Sequence, residues 1–254
     1  MKFSVRKILL ILVAAGTLTS CGEYQRVQKS TDINYKLDFA RRAFNEKRYV
    51  QATTVLEPVI TLFKGSEKAE ESLYLLAMSY YENKDYLNSG TTFKTYYTRY
   101  PKGKYAELAR FYCGYGYFLD SPEAQLDQTD TLRAIEELQS FLDYFPKSDK
   151  VPIAQNAIFE LQDKLTLKEL QNAQLYYNLG NYLGNNYESA VIVAKNAIKN
   201  YPYSRYKEDL EMLVLKARYQ EASQSVAEKQ ADRYRVVIDE YYSFINNYPD
   251  SPNR

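Results

Sequence analysis

AEESLYLLAMSYYENKDYLNSGTTFKTYYTRYP, residues 69–101, is the stretch that decides the fold. Its apolar side chains recur at Leu73, Leu76, Ala77 and Tyr80, the spacing of one face of an α-helix. After the polar Asn83-Lys84-Asp85 break, a second face runs through Tyr86, Ser89 and Phe93. Small residues at 77 and 89 let two helices approach, and the large ones at 73, 80 and 93 fill the space beside them. Pro101 ends the second helix, because its ring and missing N–H cannot continue the hydrogen-bond ladder. The stretch therefore reads as helix, turn, helix, proline stop.

The ending of this unit recurs along the chain. Tyr100-Pro101-Lys102-Gly103 is followed by Phe145-Pro146-Lys147-Ser148, Tyr201-Pro202-Tyr203-Ser204 and Tyr248-Pro249-Asp250-Ser251, and preceded by a degenerate Phe63-Lys64-Gly65-Ser66 with lysine in place of proline. The proline-equivalent sites at 64, 101, 146, 202 and 249 are 37, 45, 56 and 47 residues apart. A period in this range is the mark of a repeat architecture. The Ser or Gly of each tail is expected to serve the cap of the following helix.

Residues 69–101 resemble the tetratricopeptide pattern. Leu73 stands at its usual tryptophan, Leu76-Ala77 at its Leu-Gly, Tyr80 at its first tyrosine, Ser89 at the small site of the second helix, Phe93 at its aromatic and Pro101 at its closing proline. Phe39-Ala40, Ala43, Tyr49, Ala52 and Leu56 repeat this in residues 32–64, and Tyr187, Ala190, Ala194, Ala197 and Pro202 in the fourth copy. The expected fold is all-α, an α-solenoid of five helix pairs near 33–63, 69–99, 105–144, 152–200 and 205–247. The last three copies exceed the 34-residue consensus and need longer first helices or inserted loops. One insertion, 120–130, carries Asp120, Glu123, Asp127 and Asp130 but lacks the alternating oxygens and the glycine of a calcium loop, so it is read as solvated, with a helix cap at Asp130 or Thr131.

The 254 residues hold 33 Lys+Arg against 32 Asp+Glu, so no basic excess draws the chain to nucleic acid. Histidine is absent, which removes the usual general base and the commonest zinc ligand. Gly114-Tyr115-Gly116 lacks both the third glycine and the preceding strand of a dinucleotide-binding turn. No Walker A, Gly-x-Ser-x-Gly or Cys-x-x-Cys pattern occurs, and no enzymatic activity, metal or soluble cofactor is expected. The 27 tyrosines are the compositional excess. Most are read as repeat packing.

The N-terminus differs from the rest. Lys2, Arg6 and Lys7 precede an unbroken apolar run, Ile8 to Ala15, too short to span a bilayer and fitting a secretory signal. Leu18-Thr19-Ser20-Cys21 then resembles the lipobox of bacterial lipoproteins. The expected organisation is a signal peptide at 1–20, a lipidated flexible tether at 21–31 with the lipid on Cys21, and the solenoid at 32–254. Loss of residues 1–20 takes the net charge from +1 to −2. Cys113 is left without a partner and is read as a small buried helix residue.

On the first helices of such solenoids, a minority of side chains face the inner surface: Leu37, Arg41 and Phe44 in the first copy, and Tyr74, Met78 and Tyr81 in the second. Aromatic and Met side chains give contact area without demanding one geometry, so this set is read as a peptide-binding groove. In the last pair, the apolar face of Val237, Tyr241 and Phe244 is read as a partly open docking surface.

A lipobox, a short tether, five tetratricopeptide-like pairs and the Leu-Asp-Gln-Thr-Asp-Thr loop at 126–131 together resemble the BamD family, lipoproteins of the outer-membrane β-barrel assembly machinery. The resemblance covers nearly the whole mature chain. Lys64 in place of the first proline departs from the pattern, and so does the abrupt end at Ser251-Pro252-Asn253-Arg254, where the tail elsewhere introduces another helix, so the expectation is either a missing closing helix or a longer native chain. The resemblance implies a scaffold on the periplasmic face of the outer membrane. Its N-terminal repeats would receive unfolded outer-membrane barrel substrates, and its C-terminal repeats would dock on a BamA-type barrel insertase and other assembly subunits. Two alternatives belong to other classes: a periplasmic adaptor for cell-envelope enzymes or polysaccharide export, and a glycan-capturing helical lipoprotein of the SusD kind.

Overall fold

The computed structural model describes residues 22–252. The expected signal peptide at 1–20 and the expected lipid site at Cys21 lie outside them. Among the described residues there are no strands. Helix α1 covers 22–29. It is followed by α2 (Ile33–Asn45), α3 (Tyr49–Leu56) running into a 3-10 turn (Glu57–Phe63), α4 (Ala69–Glu82), α5 (Tyr86–Arg99), α6 (Ala106–Asp120) and α7 (Thr129–Tyr144). Then come α8 (Val151–Leu179), α9 (Asn186–Asn200), α10 (Lys207–Ser223) and α11 (Ala227–Asn247). These are the five expected pairs, within a residue or two of the expected bounds. The chain divides into two compact units, Met1–Asp120 with Arg133–Ala154, and Ser121–Leu132 with Gln155–Arg254. In each unit successive helix pairs stack in the manner of an α-solenoid.

In the first unit, Leu73, Leu76, Ala77, Tyr80, Ser89 and Phe93 are all buried. The Ser89 hydroxyl donates to the Ala77 carbonyl at 3.2 Å, a contact open only to a small polar side chain at that crossing. Gly114 does the same work between α6 and α7. A Cβ there would lie 2.8 Å from the backbone nitrogen of Leu138. The turns inside the first two pairs are built alike, each with a lysine in the left-handed region, Lys47 at φ 60 and Lys84 at φ 61. Asp85 then caps α5, accepting from the Asn88 amide.

The tail serines do not cap the next helix. Ser66 donates back to the Phe63 carbonyl, and Ser148, Ser204 and Ser251 are each clasped by an acid of their own pair's first helix. Glu107 on α6 accepts from the Ser148 hydroxyl at 2.5 Å. Asp163 on α8 accepts from the Ser204 hydroxyl at 2.7 Å and the Arg205 amide at 3.1 Å. Glu208 on α10 accepts from the Ser251 hydroxyl at 2.6 Å. Where the tail has Gly103, Glu70 on α4 takes the Lys104 amide at 2.6 Å. Glu70, Glu107 and Glu208 lie in the first turn of their helices, whereas Asp163 lies well inside α8. The extra length of the fourth copy is therefore an extension at the N-terminal end of α8.

Two expectations are corrected. Residues 22–31 are not a flexible tether throughout: α1 is a packed helix. Val27 has no exposed surface, Tyr24 stacks on Phe39 with ring centroids 5.9 Å apart, Glu23 pairs with Arg42, and the buried Lys36 donates to the Gln28 carbonyl. The cap of α7 is not at Asp130 or Thr131. Asp127 accepts from the Thr129 amide at 3.0 Å, and Thr131 is buried, donating to the Gln128 side chain. In the second unit this loop is tied to α8 by Lys164, which donates to Ser121, and by Lys168, which donates to the Leu126 carbonyl.

Candidate functional site

In the first unit, Tyr74, Met78 and Tyr81 follow one another along α4 at the spacing of a single helix face, and all three are half-buried. Each tyrosine meets a partner from α6 or its approach. Tyr74 and Tyr105 stack at 4.1 Å and 12°. Tyr81 meets Tyr112 edge-on at 4.8 Å and Tyr86 at 5.5 Å. Tyr112 in turn stacks on the core ring of Phe93, and Tyr115 stacks on Phe111. The result is a continuous aromatic face in which each ring fixes its neighbour. Such pairs contribute about 0.5–1.5 kcal/mol each beyond their area. Burial pushes the Tyr74 and Tyr81 phenols well above the ordinary tyrosine range, so both are neutral at physiological pH.

The α2 part of the expected groove holds less well. Leu37 has no exposed surface and belongs to the same buried cluster as Val27, so it lines no groove. The cause is α1, whose packing on α2 a sequence reading of a tether does not include. Phe44 remains half-buried, edge-on to Tyr49 at 5.4 Å. Arg41 is spoken for: its guanidinium makes two 2.7 Å bonds to Glu71 on α4 and a third to Asp38. That bidentate pair raises Arg41 and holds the Glu71 carboxyl below the usual range. Sequence reading missed Tyr105, Tyr112 and Tyr115. Their signal was available, since Tyr105 and Tyr112 stand seven residues apart on the approach to a first helix and along it, as Tyr74 and Tyr81 do on α4.

Cys113 is fully buried in α6, its Sγ directed at the Gly90 carbonyl. Burial pushes its thiol up, which keeps it protonated. Among the described residues, no three Asp, Glu or Cys side chains come together as a metal site.

In the second unit, Val237 and Tyr241 do line an open pocket of about 380 Å³, together with Tyr177, Met212, Tyr219 and Ile238. Phe244 does not share it as a surface group. It is 2% exposed, packed inward against Tyr248, because its position on α11 turns it toward α10.

Stacked helix pairs, with a stacked-ring face in one unit and an apolar pocket in the other, define a helical-repeat protein. The chain belongs to the outer membrane lipoprotein family YfiO, whose model matches residues 35–185. It is similar to the outer membrane protein assembly factor BamD of Neisseria meningitidis serogroup B, strain MC58, at 23% identity over 98% of this chain and 93% of that protein. Among solved structures, a Podosopora anserina kinesin light chain with nearly identical TPR-like repeats overlays 86% of this chain and 97% of its own at 12% identity and a TM-score of 0.35.

Proposed function

We propose that this chain is a lipid-anchored, non-enzymatic scaffold of outer-membrane barrel assembly, held on the periplasmic face through Cys21. It receives unfolded barrel proteins on the first unit and docks on a BamA-type insertase through the second. The observation that carries this reading is the aromatic face of Tyr74, Tyr81, Tyr105 and Tyr112: half-exposed rings, pre-ordered by stacking, offer apolar contact to an extended chain at little entropic cost. Membership of an outer membrane lipoprotein family and the similarity to an assembly factor support it.

Photo-crosslinkers at Phe44, Tyr74 and Tyr81 are expected to capture a barrel-protein C-terminal peptide well above the level at Tyr144, which is 66% exposed. Equal labelling at all four positions removes the substrate role. Recovery of a barrel insertase with the intact lipoprotein tests the docking role, and recovery of envelope enzymes or export proteins in its place points to the adaptor class. Cys21→Ser is expected to release the chain from membranes, read by fractionation and by the mass of the mature N-terminus.

A further inference from the structure

The turn between α8 and α9, Gly180-Asn181-Tyr182-Leu183-Gly184-Asn185, carries two strongly exposed apolar side chains. Tyr182 is 69% exposed and Leu183 90%. Leu183 also holds a left-handed backbone, φ 54, which a residue with a Cβ seldom adopts. The turns of the first two pairs each contain a left-handed residue too, and there it is an exposed lysine, Lys47 or Lys84. A lysine at such a corner keeps its charge in water. The fourth pair sets a leucine at the corner instead.

The surroundings of this tip are uncharged. From Leu170 to Tyr187 there is no Asp, Glu, Lys or Arg, in a chain that is 26% charged. At the base of the turn the charges pair with one another, Arg218 with Glu188 and Glu221, and Arg233 with Glu221. Two acids meet two bases, and the base is neutral. The polar groups of the turn are bonded internally as well. The Gly180 and Tyr182 amides donate to carbonyls at the end of α8, and the Asn186 amide donates to the Gly180 carbonyl. The Asn181 side chain donates to Gln224 at 2.7 Å, that of Asn185 to Glu221 at 2.8 Å, and that of Asn186 to the Tyr182 carbonyl at 2.7 Å. Asn185 also caps α9 by accepting from the Glu188 amide. The turn is held in shape from within, and Tyr182 and Leu183 are what it presents.

We propose that Tyr182 and Leu183 form an interfacial membrane contact, with the leucine entering the acyl boundary of a bilayer and the tyrosine lying at headgroup depth. A bilayer excludes charge and open backbone groups, and this tip carries no charge and bonds its amides internally. Tyrosine, an apolar ring with a polar end, suits the boundary between lipid and water. A protein partner gripping so small a tip would draw register from hydrogen bonds, and the side-chain amides that could supply them are already engaged. Because the base of the turn is neutral, the contact is expected to need neither anionic lipid nor low salt. The choice of a bilayer rests on the proposed lipid anchor, which keeps the chain beside one.

The test uses the full mature chain with one fluorophore on Leu183→Cys or, as control, on Tyr203→Cys, a position 87% exposed. Cys113 is buried and stays unlabelled. The protein is mixed with phosphatidylcholine vesicles that carry a nitroxide quencher at the top of the acyl chains. Quenching is expected at 183 about tenfold above 203, the scale set by burying one leucine, and unchanged by added salt or phosphatidylglycerol. With the fluorophore on Tyr182→Cys, Leu183→Lys installs the residue that the first two turns carry. It is expected to leave circular dichroism and the unfolding midpoint unchanged and to cut quenching about tenfold. Absence of quenching at 183, equal quenching at 203, or its loss in salt overturns the inference. So does a blue shift at 183 that arises without vesicles and grows with protein concentration, which marks a second copy as the partner. A mature chain whose mass shows no acyl group on Cys21 removes the anchor reading, and quenching at 183 still decides the tip.

Discussion

The two units read the same repeat differently on equivalent faces. Counted from its clasp acid, α4 presents Met78 and Tyr81 where α8 presents Gln171 and Gln174. In the first unit the rings pack on one another, with Tyr74 and Tyr105 at 4.1 Å, and stay partly exposed. In the second the face lines an open groove, with apolar residues below and amides above, Gln174 donating to Asn178. The repeat's packing positions, small at the crossing and large beside it, are kept in both. The positions that face away from the helix partner are free to vary, and there the units diverge. A solenoid of this kind separates residues that make the fold from residues that make the surface more cleanly than a closed core does.

The largest expected effect tests that separation. Phe93→Ala removes a fully buried ring that supports Tyr74 and Tyr112, and is expected to cost about 3–5 kcal/mol. Leu175→Ala, on the open face, is expected to stay within about 0.5 kcal/mol. Similar losses in the two variants, read by urea unfolding, would break the comparison. Gly114→Val, with backbone at 2.8 Å from its new Cβ, is expected to cost about 1–3 kcal/mol. Its hydrogen exchange should rise in α6 and α7 first. Asp163→Ala strips the Ser204 hydroxyl, the Arg205 amide and the Arg205 guanidinium of their acceptor at the fourth tail and is expected to cost about 1–2 kcal/mol, with faster exchange in the α9–α10 turn.

The smallest effect separates the units by alkali. Burial holds Tyr74, Tyr80, Tyr81, Tyr96 and Tyr97 of the first unit far above their ordinary value of 10.0. In the second unit, Tyr248 is pushed up to about 12 by burial and by Glu211. A phenol raised in the native state keeps a proton that the unfolded chain releases. Its contribution is complete below pH 10 and falls as pH rises above it. Exchange in α4–α6 is expected to accelerate before that in α10 and α11 between pH 10 and 12. The reverse order would show that the first unit's rings are wetter than their packing implies.

The pairs were legible because their signals are local and repeated: Pro101, Pro146, Pro202 and Pro249 stop four second helices, and Ala77, Ser89 and Phe93 specify a crossing by size alone. The clasps were not, because Glu70, Glu107 and Glu208 look like any acid near a helix start, where the macrodipole favours negative charge. The register of the fourth repeat is set by Asp163, deep inside α8, where no local signal marks it. Leu37 and Phe244 show the other limit. Periodicity assigns a residue to a face, but which neighbour covers that face is a long-range fact. For Leu37 the neighbour is α1, with two apolar anchors in eight residues, too few for a periodic signal.

That short helix also changes how an anchor at Cys21 would work. Ten free residues would allow the body to wander about 35 Å from its point of attachment. With α1 docked through Val27, Tyr24 and Glu23, residues 22–29 add no free length, so a lipid carried ahead of them would hold the first pair on a short stay rather than a leash.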